Sequence, residues 1–181
     1  MQITLQSLFV EVVQAKMEIL EPQHTDLRVI ARAKVESAYA KLREPVITQD
    51  SGFCITALKG WPGALLNHEL EHIGVDGILK VMAGKERSCY FKQCLCYFDG
   101  GLLAPEPVFF ESSIKGSLAL EPRGTMKNHF WSELALVFQP AGFSKTEAEM
   151  SDEEYFAMRK KTGEYYAQNF VAWLYERLLG T

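Results

Sequence analysis

A chain of 181 residues, 48% apolar and 23% charged, is one domain of ordinary size or at most two small lobes, with material for a sizeable core. That composition excludes a disordered tail, a collagen-like fibre and a coiled coil. The net charge of −4, from 19 basic and 23 acidic residues, argues against a general nucleic-acid binder, which needs clustered Lys and Arg.

Residues 9–19 are rich in β-branched and apolar types and predict a strand, broken by Glu21-Pro22-Gln23-His24. Thr25 is the expected N-cap of a helix, with Asp26 in its first turn. Leu27, Ile30, Ala31, Val35, Ala38 and Leu42 then recur at helical spacing, and Pro45 stops the helix. Residues 45–49 predict a short strand that ends abruptly at Asp50-Ser51-Gly52, and 53–58 a second one. Gly60, Pro62 and Gly63 make a loop. Residues 64–83 predict a helix broken near Gly74 and closed by Gly84. Alternation predicts a strand over 88–98, and Asp99-Gly100-Gly101 a turn. Further strands are expected at 107–111 and 114–120, then a turn at Pro122-Arg123-Gly124, then β or mixed structure over 131–139. Ser151 and Glu154 form a capping box, three residues apart at a helix start. A last helix, about 163–179, places Tyr166, Phe170, Trp173, Leu174 and Leu178 on one face. This order predicts an α/β or α+β fold with a mixed sheet.

No run of 18 apolar residues is present, so no membrane span or membrane partner is expected, and the first residues lack the pattern of a signal peptide. The four cysteines, at 54, 89, 94 and 96, follow no common zinc spacing and read as reduced thiols of a cytoplasmic protein.

Five groups of residues carry candidate chemistry. Asp50 stands at a strand edge before Ser51 and Gly52. A carboxylate there can hold a hard cation or take a proton from water, although Asp-Ser-Gly is also ordinary turn chemistry. Glu21 precedes a helix, where negative charge is favoured without any further role. His68-Glu69-Leu70-Glu71-His72 matches the zinc-protease spacing, but no third ligand follows and the neighbours look like a solvated helix face. Phe130 and Trp131, beside Glu133, could stack on a base and read its edge, or simply pack in a core. Arg159, Lys160 and Lys161 could meet a phosphate or a base carbonyl, or form a solvated face.

Glu21-Pro22-Gln23, then 45–53 with Gln49-Asp50-Ser51-Gly52-Phe53, then Ala57-Leu58-Lys59-Gly60-Trp61-Pro62-Gly63 follow a familiar order. Phe138-Gln139-Pro140-Ala141-Gly142-Phe143, with Thr146 and Ala148-Glu149-Met150, extends it. Together they resemble the inosine triphosphate pyrophosphatase family, from about residue 10 to the C-terminus. The resemblance implies an elongated α/β fold with a mixed sheet, flanking helices and a central cleft, formed by one domain over 1–181. It implies hydrolysis of ITP, XTP and their deoxy forms to monophosphate and pyrophosphate, with Mg²⁺, by a homodimer. Asp50 then takes the catalytic and metal-binding place, and Glu21 a metal-binding place. Ser51, Gly52, Phe130, Trp131, Glu133, Arg159, Lys160 and Lys161 fall where the family meets substrate. The chain departs from the family pattern at several places. Gln49 replaces an acid, the Gly and Pro after Phe130 are absent, and Arg159-Lys160-Lys161 falls near a Ser-His-Arg triplet. The family's opening Ser/Thr-x-Asn-x-x-Lys turn has no counterpart, so either the start lies upstream or that phosphate cradle is missing. A relative that keeps the fold but only binds nucleotide, or serves as a partner subunit, is the alternative expectation.

Overall fold

The structure is a computed structural model that describes residues 10–162 and 165–180. The first helix, α1, spans Leu27–Leu42. Asp26, not Thr25, caps it: the Asp26 carboxylate accepts the Arg28 amide at 2.9 Å from extended backbone. Asp26 is the residue whose side chain reaches an amide left orphaned at the helix start. Leu27, Ile30, Ala31, Val35 and Ala38 form its buried face, while Leu42 is exposed. The helix ends at Arg43, in left-handed conformation with φ 59°, two residues before Pro45.

The strand expected over 9–19 does not form at residues 10–19, which lack regular structure and are mostly exposed; Phe9 lies outside the described residues. β-branched side chains favour a strand only where a neighbour takes the backbone hydrogen bonds.

Two pairs of expected strands are each one strand. β1 runs through Val46–Ile55, so Asp50-Ser51-Gly52 is strand and not a turn. Gly52 serves close approach instead: a Cβ there would stand 2.8 Å from the Gly63 carbonyl carbon and oxygen. β4 runs unbroken through Val108–Leu118. Between them lie the short β2, Pro62–Gly63, the helix α2, Leu66–Val81, and β3, Ser88–Phe98. The break in α2 falls at Gly74, with φ 63° and ψ −176°, a conformation open to glycine alone. Residues 131–139 divide into a 3₁₀ turn at Glu133–Leu136 and the start of β5, Phe138–Pro140. Two helices close the chain, α3 at Asp152–Thr162 and α4 at Tyr165–Leu179.

The fold is α/β, as expected, with a five-stranded sheet in the order β2-β1-β3-β4-β5. Both edge pairings, Phe53 with Gly63 and Ser117 with Gln139, are antiparallel, so the mixed character expected of the sheet is absent at its edges.

The described residues divide into two compact units, 10–50, 94–111 and 165–180 in the first and 51–93 and 112–162 in the second. In the first, Tyr166, Phe170 and Leu174 of α4 pack with Leu95, Tyr97 and Phe110. Trp173 is partly buried there, whereas Leu178 faces solvent. In the second, one cluster joins Phe53, Phe91, Ile114, Leu134 and Phe138. A separate one joins Phe130, Ala135, Ala148, Met150, Tyr155 and Met158. None of the four cysteines is in a disulfide, and burial pushes Cys89 and Cys96 up to about 12. No helix among the described residues is long and apolar enough to cross a membrane.

Candidate active site

Helix α1, the irregular chain before it and strand β1 place three charged groups together in the first unit. Thr48 Oγ1 donates to the Ala31 carbonyl at 3.2 Å, which ties β1 to α1. Two residues on, Asp50 Oδ1 accepts from Lys34 Nζ at 2.7 Å. Lys34 Nζ also stands 3.3 Å from Glu21 Oε2. The ammonium therefore lies between the two carboxylates singled out from the sequence. The Asp50 side chain is 9% exposed and that of Glu21 57%, so the two acids differ in character.

Asp50 Oδ2 is buried and has no hydrogen-bond partner in the structure. Burial pushes the Asp50 carboxyl up; the hydrogen bond and charge of Lys34 pull it back, and the charge of Glu21 adds to the rise. For Lys34, burial works against the charge, but the Asp50 hydrogen bond and charge, with those of Glu21, outweigh it and hold the ammonium above its ordinary range. Lys34 was not among the residues singled out from the sequence. A signal was present: it stands four residues from both Ile30 and Ala38, in register with the buried face of α1.

Ser51 and Gly52 follow Asp50 on β1, at the start of the second unit. The adjacent aromatics of that unit part company. Phe130 joins the cluster with Tyr155, their ring centroids 5.1 Å apart. Trp131, 51% exposed, instead rests on Phe91 at 5.7 Å. Glu133 is exposed at the head of the 3₁₀ turn. Arg159 is half-buried in the last turn of α3, while Lys160 and Lys161 face solvent. The Ser151–Glu154 capping box forms as expected, with the Ser151 amide donating to Glu154 Oε2 at 2.8 Å and the Glu154 amide to Ser151 Oγ at 3.2 Å.

A further acid of this unit, Glu147, escaped the sequence reading. It is 6% exposed and its Oε1 has no hydrogen-bond partner. Burial pushes its carboxyl up to about 7, against the charge of Arg159. Its hint in the sequence was a charged residue at the free position of the Thr-x-Ala-Glu-Met stretch.

His68 and His72 stack at 4.1 Å on the exposed side of α2. Among the described residues no group of three or more His, Cys, Asp or Glu is placed to hold a metal ion, so the zinc-protease spacing gains no third ligand.

The profile of the Ham1 family matches residues 2–162. The chain belongs to the Ham1 family. A dITP/XTP pyrophosphatase of Saccharolobus solfataricus is 36% identical over 146 residues, which cover 80% of this chain and 72% of that protein. An inosine triphosphate pyrophosphatase of Yarrowia lipolytica is 32% identical over 145 residues, covering 80% and 73%. The Ham1 protein of Staphylococcus aureus shares the fold, with a TM-score of 0.70 at 22% identity over 87% of this chain and 80% of that one. The resemblance carried by Gln49–Phe53 and Phe138–Met150 is thus a membership that spans most of this Ham1 chain.

Proposed function

We propose that this Ham1-family chain hydrolyses ITP, XTP and their deoxy forms to the monophosphate and pyrophosphate. The observation that carries the reading is Lys34 held between Asp50 and Glu21, in a chain whose relatives are named as dITP/XTP and inosine triphosphate pyrophosphatases. Asp50 and Glu21 are the residues that would hold Mg²⁺. The buried, unpartnered Asp50 Oδ2 and a donor set of carboxylate oxygens suit a hard cation that keeps several waters and completes its shell with phosphate oxygens. When bound, the ion supplies charge neutralisation for the triphosphate.

Asp50 orients the attacking water and accepts its proton, and the upward push of burial on its carboxyl makes it a stronger base than an ordinary carboxylate. Water adds to phosphorus as the bond to the pyrophosphate leaving group breaks. Lys34 keeps its positive charge throughout, where negative charge gathers on the phosphates. Ser51 and Gly52 bring backbone and hydroxyl donors next to Asp50. Phe130, Trp131 and Glu133 serve the base, and Arg159, Lys160 and Lys161 its carbonyl edge or a phosphate. The working form is a cytoplasmic homodimer.

The test is pyrophosphate release from ITP, XTP, dITP and the four common dNTPs with Mg²⁺, with Asp50→Asn beside the wild type. Release from the inosine and xanthine nucleotides should fall by about two orders of magnitude or more in D50N, the scale of losing a general base. Unchanged turnover in D50N would sink the assignment. A second reading, nucleotide binding without turnover, draws on Arg159-Lys160-Lys161 standing near the family's Ser-His-Arg triplet. Metal-dependent binding with no release from any substrate would select it.

A further inference from the structure

His68 and His72 play no part in the chemistry built on Asp50. They stand one helical turn apart on the exposed side of α2, and their rings stack with centroids 4.1 Å apart and an interplanar angle of 26°. His72 Nδ1 lies 2.7 Å from the His68 carbonyl oxygen. A carbonyl oxygen only accepts, so Nδ1 carries the proton and the neutral ring keeps its lone pair on Nε2. His68 Nδ1 stands 3.7 Å from Glu69 Oε1, whose charge favours a proton on the same nitrogen and again leaves the lone pair to Nε2. A backbone carbonyl behind one ring and a carboxylate behind the other are the outer partners that set the tautomer of metal-bound histidines and raise their basicity.

The pair is accessible: the His68 side chain is 58% exposed, and His72 faces solvent. Zinc–nitrogen bonds of about 2.0–2.1 Å let one ion join two nitrogens about 3.3 Å apart at a tetrahedral angle. Rings stacked this closely meet that spacing by small side-chain rotations. The stretch that carries them is short. Helix α2 starts at Leu66 without a side-chain cap and is broken at Gly74, so its first part is 66–73, well below the roughly 12–15 residues at which an isolated helix becomes even marginal. Of the buried residues of α2, Leu66 alone lies in that part, with Val75 and Ile78 beyond the break. An ion bridging positions 68 and 72 clamps a full turn of it.

We propose that His68 and His72 form a two-histidine site for one borderline divalent cation of the zinc class, and that the bound ion holds the first part of α2. The ligands are the two Nε2 atoms. Water fills the remaining positions, because no group of three or more ligating side chains is present among the described residues. Imidazole nitrogen selects such ions over Mg²⁺, which prefers oxygen. The pair belongs to the second unit, whereas Asp50 and Glu21 belong to the first. The inference stands whether or not the chain is a pyrophosphatase.

The experiment is equilibrium dialysis of the untagged full chain against Zn²⁺, above neutral pH and with Mg²⁺ in large excess, on wild type, H68A, H72A and D50N. Wild type and D50N should each retain one Zn²⁺ per chain. H68A and H72A should each bind at least about tenfold more weakly, since even the loss of an outer partner costs about 10- to 100-fold. Zinc should also raise the melting temperature of wild type and slow amide hydrogen exchange over 66–73, and should do neither in H72A. Both histidines are exposed, so without zinc their alanine variants should melt like wild type, and misfolding does not imitate the loss. No zinc retained by wild type, zinc retained equally by H68A and H72A, or zinc lost in D50N would overturn the proposal. So would exchange over 66–73 that zinc leaves unchanged in wild type.

Discussion

Lys34, Asp50 and Glu147 divide the charged chemistry of the chain between them. Lys34 lowers the pKa of Asp50 against the larger push of burial. Removing it should therefore move the acid limb of the kcat/KM profile to higher pH, because Asp50 must be ionised to take a proton. K34M is the variant to measure; an acid limb that stays in place would show that Asp50 is not the titrating base. The same change takes from the Asp50 carboxylate, whose side chain is 9% exposed, the ammonium that pairs it, so it should also cost about 3 kcal/mol in urea unfolding.

Glu147 gives a second pH signature, on stability. Its carboxyl is raised in the folded chain from 4.5 to about 7, so the folded state binds the proton more tightly than the unfolded one. The stabilisation is complete below about pH 4.5 and is lost as pH rises to about 7. E147Q has no such dependence. Melting curves should show wild type falling behind E147Q across that window, with a gap of about 3 kcal/mol above it, at roughly 1.4 kcal/mol per pKa unit. A gap independent of pH would mean that Glu147 is ionised throughout. The charged and titratable groups acting on it are Arg159 and Tyr155.

At the scale of elements, the glycines in strands are contact points. A Cβ at Gly52 would meet Gly63 backbone at 2.8 Å, and one at Gly116 would stand 2.3 Å from the Gln139 carbonyl oxygen. Neither obstacle is a flexible side chain, so the strands themselves must shift. Gly52→Ala should destabilise by about 1–3 kcal/mol, the usual cost of overpacking, and denaturant titration measures it. Because Gly52 is two residues from Asp50 on the same strand, G52A should also lower kcat. An Ala variant with wild-type stability would show that β2 can retreat without cost.

Two capping boxes follow one another in the chain, the first around Glu147 and the second at the start of α3. Ser151 with Glu154 was legible as a spacing, and Thr146 with Glu149 has the same spacing five residues earlier but starts only a 3₁₀ turn. A capping box is legible because its two hydrogen bonds are local, needing nothing beyond four consecutive residues.

At the scale of the whole molecule, each unit has its own buried cluster, Tyr166, Phe170 and Leu174 in the first and Phe53, Phe91 and Phe138 in the second. β1, β3 and β4 each begin in one unit and end in the other, with Asp50 the last residue of the first unit on β1. The homodimer proposed above is tested by light scattering on the eluted protein, which should give twice the mass of the 20.5 kDa chain; the mass of one chain would remove it.

What the amino-acid sequence determined by itself is what depends on neighbours along the chain. The helical face Leu27, Ile30, Ala31, Val35 and Ala38, the break at Gly74, the strand over 88–98 and the Ser151 capping box were all readable, because periodicity, turn chemistry and caps are local. The motif order also carried the family, since Gln49–Phe53 and Phe138–Met150 are linear runs. Tertiary structure alone decided the rest. The β-branched residues 10–19 had the composition of a strand but no neighbouring strand among the described residues, and Asp50-Ser51-Gly52 had the composition of a turn but sits in β1, which lies between β2 and β3 in the sheet. Lys34, the partner of Asp50, is 16 residues away in the chain, and Glu147 owes its raised carboxyl to burial, which the charge of Arg159 only opposes. Desolvation and Coulomb forces depend on distance in space, which the chain sets only once it has folded.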